Sequence, residues 1–316
     1  MRRIVAAFVL FLAWTGIPPA DTHGSEKRSV VDDAGRKVEI PAVPRRIVVL
    51  NSSNLEILYA VGGKAVGRPE STGMPKELYG KVRDLPSIGE TPSPNVEKIA
   101  SLSPDLVVGV NMPFHHTLLP ALSRAGIPAL LLSINSYEDI IEKIRFFGNL
   151  TGNTGQAARI IADIEQKTDG IKRAAALQKR KKVAIIWGSP QSFTMALPSS
   201  FPGNLVGMLG GINIASGVKP VASMPHYAPL SLEYVLSKDP DMIFLITHGH
   251  DGKVSEKFRK EMESHPAWKG LRAIREGRLY PLPYSLFGVN PAVRVTKAVE
   301  HIAALLYPEI AETGRK

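Results

Sequence analysis

Apolar residues along the chain fall into two recurring patterns: short continuous runs, and stretches with apolar positions three and four apart. Residues 46–50 (RIVVL) form such a run and predict a buried strand; a polar turn, Asn51-Ser52-Ser53-Asn54, follows. A helical stretch over 55–61 then ends at Gly62-Gly63. Further strands are expected at 64–67, 106–110 and 129–132, with helical spacing between them. Strand and helix in alternation predict a parallel sheet with helices on its faces. Ahead of it, VVDDAGRKVEIP (30–41) alternates apolar and polar around Ala34-Gly35, the pattern of a hairpin.

From 136 to about 179 the strand pattern stops. Ile140, Ile141, Ile144, Phe147, Ala157, Ile160, Ile161, Ile164 and Ile171 keep helical spacing, broken only by TGNTG at 151–155. This is one bent helical connector or a helix pair leading to a long helix, long enough to bridge two domains. A second set of strands follows at 182–187, 242–246 and 278–282. FPGNLVGMLGG (201–211) reads as a helix closed by glycines, and a last helix runs from 291 to about 307.

The two halves also repeat one another. NVEKIASLSPDLVV (95–108) and SLEYVLSKDPDMIF (231–244) share a glutamate (Glu97, Glu233), a serine (Ser101, Ser237) and a Pro-Asp pair (Pro104-Asp105, Pro240-Asp241). Each copy reads as a short helix, a Pro-Asp turn and a buried strand. One copy in each half points either to two similar lobes or to helix-turn-strand units that look alike in any α/β protein, since Pro stops helices and Asp favours turns; a solenoid would repeat every 20 to 50 residues or so.

The 316 residues, 44% hydrophobic with 22% charged, suit two folded domains. MRRIVAAFVLFLAWTGIPPADTHG opens with Arg2-Arg3 and an apolar run too short to span a bilayer, the plan of a secretory signal peptide cleaved near Gly24. There is no cysteine, so neither a disulfide nor a lipid-bearing cysteine is expected, and the mature protein is expected to be free in a periplasm. Removing 1–24 leaves a formal charge of +9, one less than the +10 of the whole chain. The basic residues are scattered, and the one dense run, Lys179-Arg180-Lys181-Lys182, falls where a helix should end and cations are favoured. With export, this leaves nucleic acid without support as a partner.

The V-x-D-x-x-G-R hairpin, Pro44-Arg45-Arg46-Ile47-Val48, an early helix with Glu56, the long linking helix and the two glutamates ahead of Pro-Asp together resemble the periplasmic solute-binding proteins of ABC importers for iron-siderophores, haem and vitamin B12. The resemblance covers about 30–309. It implies an α/β fold of two lobes, each with a mostly parallel sheet flanked by helices, joined by one long backbone helix. The lobes would be 25–150 and 182–316, with 151–181 as the linking helix. It implies a ligand clasped between the lobes: an iron chelate, haem or corrinoid, with no intrinsic cofactor. It also implies that Glu97 and Glu233 dock on the two halves of an ABC permease dimer in the inner membrane, served by a cytoplasmic ATPase, where paired charges would set register on a two-fold partner.

Ligands of open parallel sheets lie beyond the carboxyl ends of the strands. The loops expected there are 51–54, 72–74 and 111–116 in the first half, and 187–189, 226–227, 247–250 and 284–287 in the second. They supply Asn51, Ser52, Asn111, Phe114, His115, His116, Trp187, His226, Tyr227, His248, Tyr284 and Phe287 as candidate cleft residues. Aromatic rings give broad contact with a flat, bulky ligand, histidine or tyrosine could ligate haem iron, and basic residues could meet an anionic chelate. Against these, His115-His116 could be surface residues, His248-Gly249-His250 a solvated turn, and Tyr284 or Phe287 core. A bare metal ion is an alternative cargo, though no pattern of three histidines and a carboxylate stands out. No G-x-S-x-G, G-x-x-x-x-G-K-[ST] or H-E-x-x-H motif occurs, so an enzyme is not expected. Trp187-Gly188-Ser189-Pro190 ends a strand as a nucleophile elbow would but lacks its glycines, which leaves a secreted hydrolase as a weak alternative.

Overall fold

The computed structural model describes residues 26–188, 192–247 and 253–313. The leader at 1–24, Ser189, His248 and His250 lie outside the described residues. A hairpin of β1 (Lys27–Val31) and β2 (Lys37–Pro41) precedes a six-stranded sheet of β3 (Ile47–Val49), β4 (Ala65–Glu70), β5 (Ser87–Glu90), β6 (Ser93–Pro94), β7 (Leu106–Val110) and β8 (Ala129–Leu132). A second six-stranded sheet holds β9 (Lys182–Gly188), β10 (Phe193–Ala196), β11 (Ile212–Asn213), β12 (Tyr227–Pro229), β13 (Met242–Thr247) and β14 (Leu279–Pro281). Val48, Val107 and Leu130 in one sheet, like Val183 and Phe244 in the other, are fully buried. Strands covered on both faces read as unbroken apolar runs, which is why these showed in the sequence.

The first sheet runs β6-β5-β4-β3-β7-β8 and is parallel except for β6; the second runs β12-β10-β9-β13-β14 with β11 beside β9. In the second, β10 runs antiparallel to both its neighbours, β9 and β12, and the other pairs are parallel. The chain builds outward from β3 to one side, then returns to place β7 on the other; β9 and β13 repeat the manoeuvre. Each lobe therefore has a topological switch point, at β3/β7 and at β9/β13.

Two helices connect the sheets, Tyr137–Thr151 and the 23-residue Thr154–Ala176. Ser136 caps the first through its Oγ, which accepts from the Asp139 N–H at 2.9 Å, and Gly152 ends it with φ 73°. The TGNTG stretch is thus a break between two helices. Their apolar faces join Ile47, Leu106, Phe147, Ile164, Phe244 and Ile302 in one cluster that reaches both sheets.

The repeat extends to side-chain detail. Asn95 and Ser231 cap helices Val96–Ser101 and Leu232–Lys238 by accepting from the N–H three residues on. The Asp105 carboxylate accepts from the Arg45 and Arg46 N–H groups at 2.7 and 2.9 Å, and Asp241 accepts from the Lys182 N–H at 2.7 Å. In both copies the Pro-Asp aspartate holds the start of the neighbouring strand, which explains why the pair recurs.

Candidate functional site

The switch points gather most of the expected cleft residues. Beyond β3, Asn51 ends the strand and starts helix Ser52–Ala60; its Oδ1 accepts from Asn54 Nδ2 at 2.9 Å, and Asn54 Nδ2 reaches the Gly109 carbonyl of β7 at 3.4 Å. Ser52 Oγ lies 3.4 Å from Ser71 Oγ, so the loop after β4 joins the same group. Beyond β7, Asn111 donates from Nδ2 to the Asp33 carbonyl at the hairpin tip (2.9 Å) and accepts at Oδ1 from His116 Nε2 at 2.7 Å. His116 is therefore oriented through one nitrogen, and its Nδ1 has no partner among the described residues.

His115 differs from its neighbour. It is buried, its Nδ1 accepts from the Val110 N–H at 2.9 Å, and its Nε2 donates to the Thr91 carbonyl at 2.8 Å. Burial pulls its pKa below the ordinary histidine value against the bond to the Thr91 carbonyl, and Nδ1, which accepts from the Val110 N–H, carries no proton. A Cβ at Gly109 would stand 2.8 Å from this Nδ1, so the strand needs glycine there to admit the ring. Both nitrogens serve the loop, and Phe114 meets the ring edge-on at 4.7 Å.

In the second lobe, Trp187 at the end of β9 meets Tyr227 edge-on, centroids 5.6 Å apart. Burial pushes the Tyr227 phenol up to about 12. His226 and Tyr227 do not follow a parallel strand: Tyr227 begins the edge strand β12, which pairs antiparallel with β10, and His226 Nδ1 lies 3.2 Å from Ser199 Oγ, leaving Nε2 without a partner among the described residues. The Tyr284 ring packs on the backbone of Gly288, and burial raises its pKa. Phe287 is buried between Phe201 and His301, a core position.

None of the seven loops contains Lys, Arg, Asp or Glu. Basic side chains expected to meet an anionic chelate are thus missing from the loops themselves. Among the described residues no three His, Asp or Glu side chains gather as a metal site, and no helix is long and apolar enough to cross a membrane. Spacing gave no sign that Ser53 and Glu56 pair with Asn290 and Arg294, contacts that join the lobes between the two groups of loops.

A family model described as periplasmic binding protein matches residues 47–286. The chain belongs to this family. It is similar to the high-affinity heme uptake system protein IsdE of Staphylococcus aureus, 28% identical over 245 residues covering 77% of this chain and 81% of that one. The solved structure of S. aureus IsdE complexed with heme superposes with a TM-score of 0.73, at 27% identity over 83% of this chain and 98% of that one. An ABC transporter substrate-binding protein from Listeria monocytogenes gives the same TM-score at 26% identity, over 84% and 99%. The chain thus shares its two-lobed fold with relatives named as a heme uptake system protein and as an ABC transporter substrate-binding protein.

Proposed function

We propose that this protein is the exported receptor of an ABC importer and that its cargo is haem, held between lobes 25–150 and 182–316 that the segment 151–181 links. One observation carries the choice: the loops at both switch points are uncharged yet rich in rings and histidine. A tris-catecholate chelate of ferric iron carries net negative charge, and these loops offer it no cation. A porphyrin face needs apolar, aromatic contact, its two propionates can stay at the solvent edge of a cleft, and its iron takes one or two protein ligands, a role open to histidine or tyrosine. His226 Nε2 and His116 Nδ1 are the uncommitted ring nitrogens of the described loops, with His248 a further candidate outside them. The relation to the staphylococcal haem protein supports the same reading. Signal peptide, periplasmic location, and docking of Glu97 and Glu233 on a permease dimer complete the proposal.

The deciding experiment is the absorption spectrum of purified protein mixed with hemin, a ferric catecholate chelate or cobalamin, then desalted. Hemin should be retained with a shifted Soret band, and His226→Ala should change that band while retaining the fold. Retention of the catecholate or of cobalamin alone would replace haem as cargo; retention of none would turn the assignment to a bare metal ion or another chelate.

A further inference from the structure

The lobes meet a second time, away from the long helix. Residues 289–294 of the second lobe lie against helix Ser52–Ala60 of the first. Ser53 Oγ donates to the Asn290 carbonyl at 2.8 Å, and Asn290 Nδ2 donates to the Ile134 carbonyl at 3.4 Å. The Glu56 carboxylate accepts from Arg294 Nε and NH2 at 2.8 and 3.2 Å, and Arg294 NH1 donates to the Ser285 carbonyl at 3.1 Å. Those two side chains are only 10% and 19% exposed. A Cβ at Gly73 would stand 2.7 Å from the Val289 methyls, so the two lobes touch there as well. Within the segment Ala292 is fully buried at φ 50°, with its N–H held by Asn290 Oδ1 at 2.9 Å.

The contacts across the lobes resist their separation, and the bonds within 285–294 hold the segment in shape for them. A largely buried carboxylate parted from its guanidinium leaves an uncompensated charge. A left-handed alanine persists only where its surroundings over-determine it. The position matters too: Ser53 follows Asn51 and Ser52, and Asn290 lies three residues beyond Phe287, so the contact borders cleft loops of both lobes. A single helix leaves the lobes free to bend about its ends, whereas a helix and a second contact make a frame.

We infer that residues 289–294, anchored by the Glu56–Arg294 pair, are a second tie between the lobes that fixes the spacing of the cleft and slows cargo escape. Glu56, Ser53, Asn290 and Arg294 are positioning residues. The spacing does not depend on which cargo is bound; only the escape rate tests the cleft reading as well.

The absence of cysteine makes the measurement direct. Spin labels on Lys98→Cys and Lys238→Cys, both at exposed positions, report the interlobe distance by pulsed EPR on cargo-free full-length mature protein. The parent should give one narrow distribution, and Glu56→Gln and Arg294→Gln roughly a doubling of its width, with Arg294→Lys between. Hemin dissociation, followed by transfer to apomyoglobin, should be about tenfold faster in the two Gln variants, a difference of about 1.4 kcal/mol. An unchanged width in folded Glu56→Gln, even with a lowered Tm, overturns the tie. Should Glu56→Gln fail to fold, Ser53→Ala carries the same test, and an unchanged width there is equally decisive. Failure of hemin to bind any variant would overturn the cargo and leave the EPR result standing.

Discussion

Ser103 and Asp239 stand 136 positions apart and share a left-handed backbone, φ 45° and 41°. Each lies between a repeat helix and its Pro-Asp pair, so the duplication reaches backbone conformation and a cost that residues with a side chain ordinarily avoid. Ser103→Gly should relieve that cost, offset in part by a more flexible unfolded chain, for a net gain of up to about 1 kcal/mol. Asp239→Gly should gain less, because Asp239 also accepts from Arg272 Nε at 3.2 Å. Urea midpoints of the two variants check both the sign and the order.

The repeat also predicts how acid unfolds the protein. Burial alone would raise the Asp241 pKa, but the Lys182 N–H and the Arg272 guanidinium outweigh it and hold the carboxyl below the ordinary aspartate value. Asp32 is lowered in the same way, burial opposing and the Leu131 and Arg36 N–H groups and the Arg36 side chain prevailing. A carboxyl with a depressed folded pKa contributes stability above its unfolded pKa and loses it as pH falls through the folded one. Urea midpoints should therefore fall in two stages as pH drops: first below about pH 6.5, where the unfolded chain takes up protons that His115 and His301, their pKa values lowered by burial, resist, and again below about pH 4. Asp241→Asn should shrink the acid loss and lower stability at pH 7 by about 1 kcal/mol.

The buried strands 106–110 and 129–132 were legible to the residue, because apolar runs of five and four residues closely bounded by Pro-Asp and Ile-Pro are too short for a helix. β6, β11 and β12 were not, since strands of two or three residues at sheet edges take their identity from the partner they bond. The site divides in the same way. Asn51 and Trp187 follow from a strand ending at a switch point, a local signal. The commitment of His115 depends on the Thr91 carbonyl 24 residues back, and the Glu56–Arg294 pair spans 238 residues; no spacing encodes either.

His115 and His226 should separate in a single comparison. His115→Ala removes two partly buried hydrogen bonds of a buried ring and leaves a hole beside Gly109, so stability should fall by about 2–4 kcal/mol. The Soret band of bound hemin should nevertheless keep its position. His226→Ala, at a half-buried ring with one weak partner, should leave Tm within about 1 °C of the parent, since a surface change is worth about 0.5 kcal/mol or less, and should shift the band. The reverse pattern would transfer the ligand role to His115.

Glu97 and Glu233 are exposed in the first turns of the two repeat helices, and neither forms an ion pair among the described residues. A glutamate at a helix start offsets the helix dipole by about 0.3–1 kcal/mol, which alone would explain one of them. It does not explain why both stay unpaired on matching corners of two lobes, the arrangement that register on a two-fold partner requires. The two roles predict different things of Glu97→Lys with Glu233→Lys. If the dipole were the whole role, Tm would fall slightly and uptake would follow the amount of folded protein. Docking predicts that uptake by cells carrying the permease is abolished at equal protein level, while hemin affinity stays within twofold. Each single reversal should reduce uptake less than the pair, because one lobe would still engage. Loss of hemin affinity in the double variant would overturn the docking assignment and place the two glutamates with the cleft.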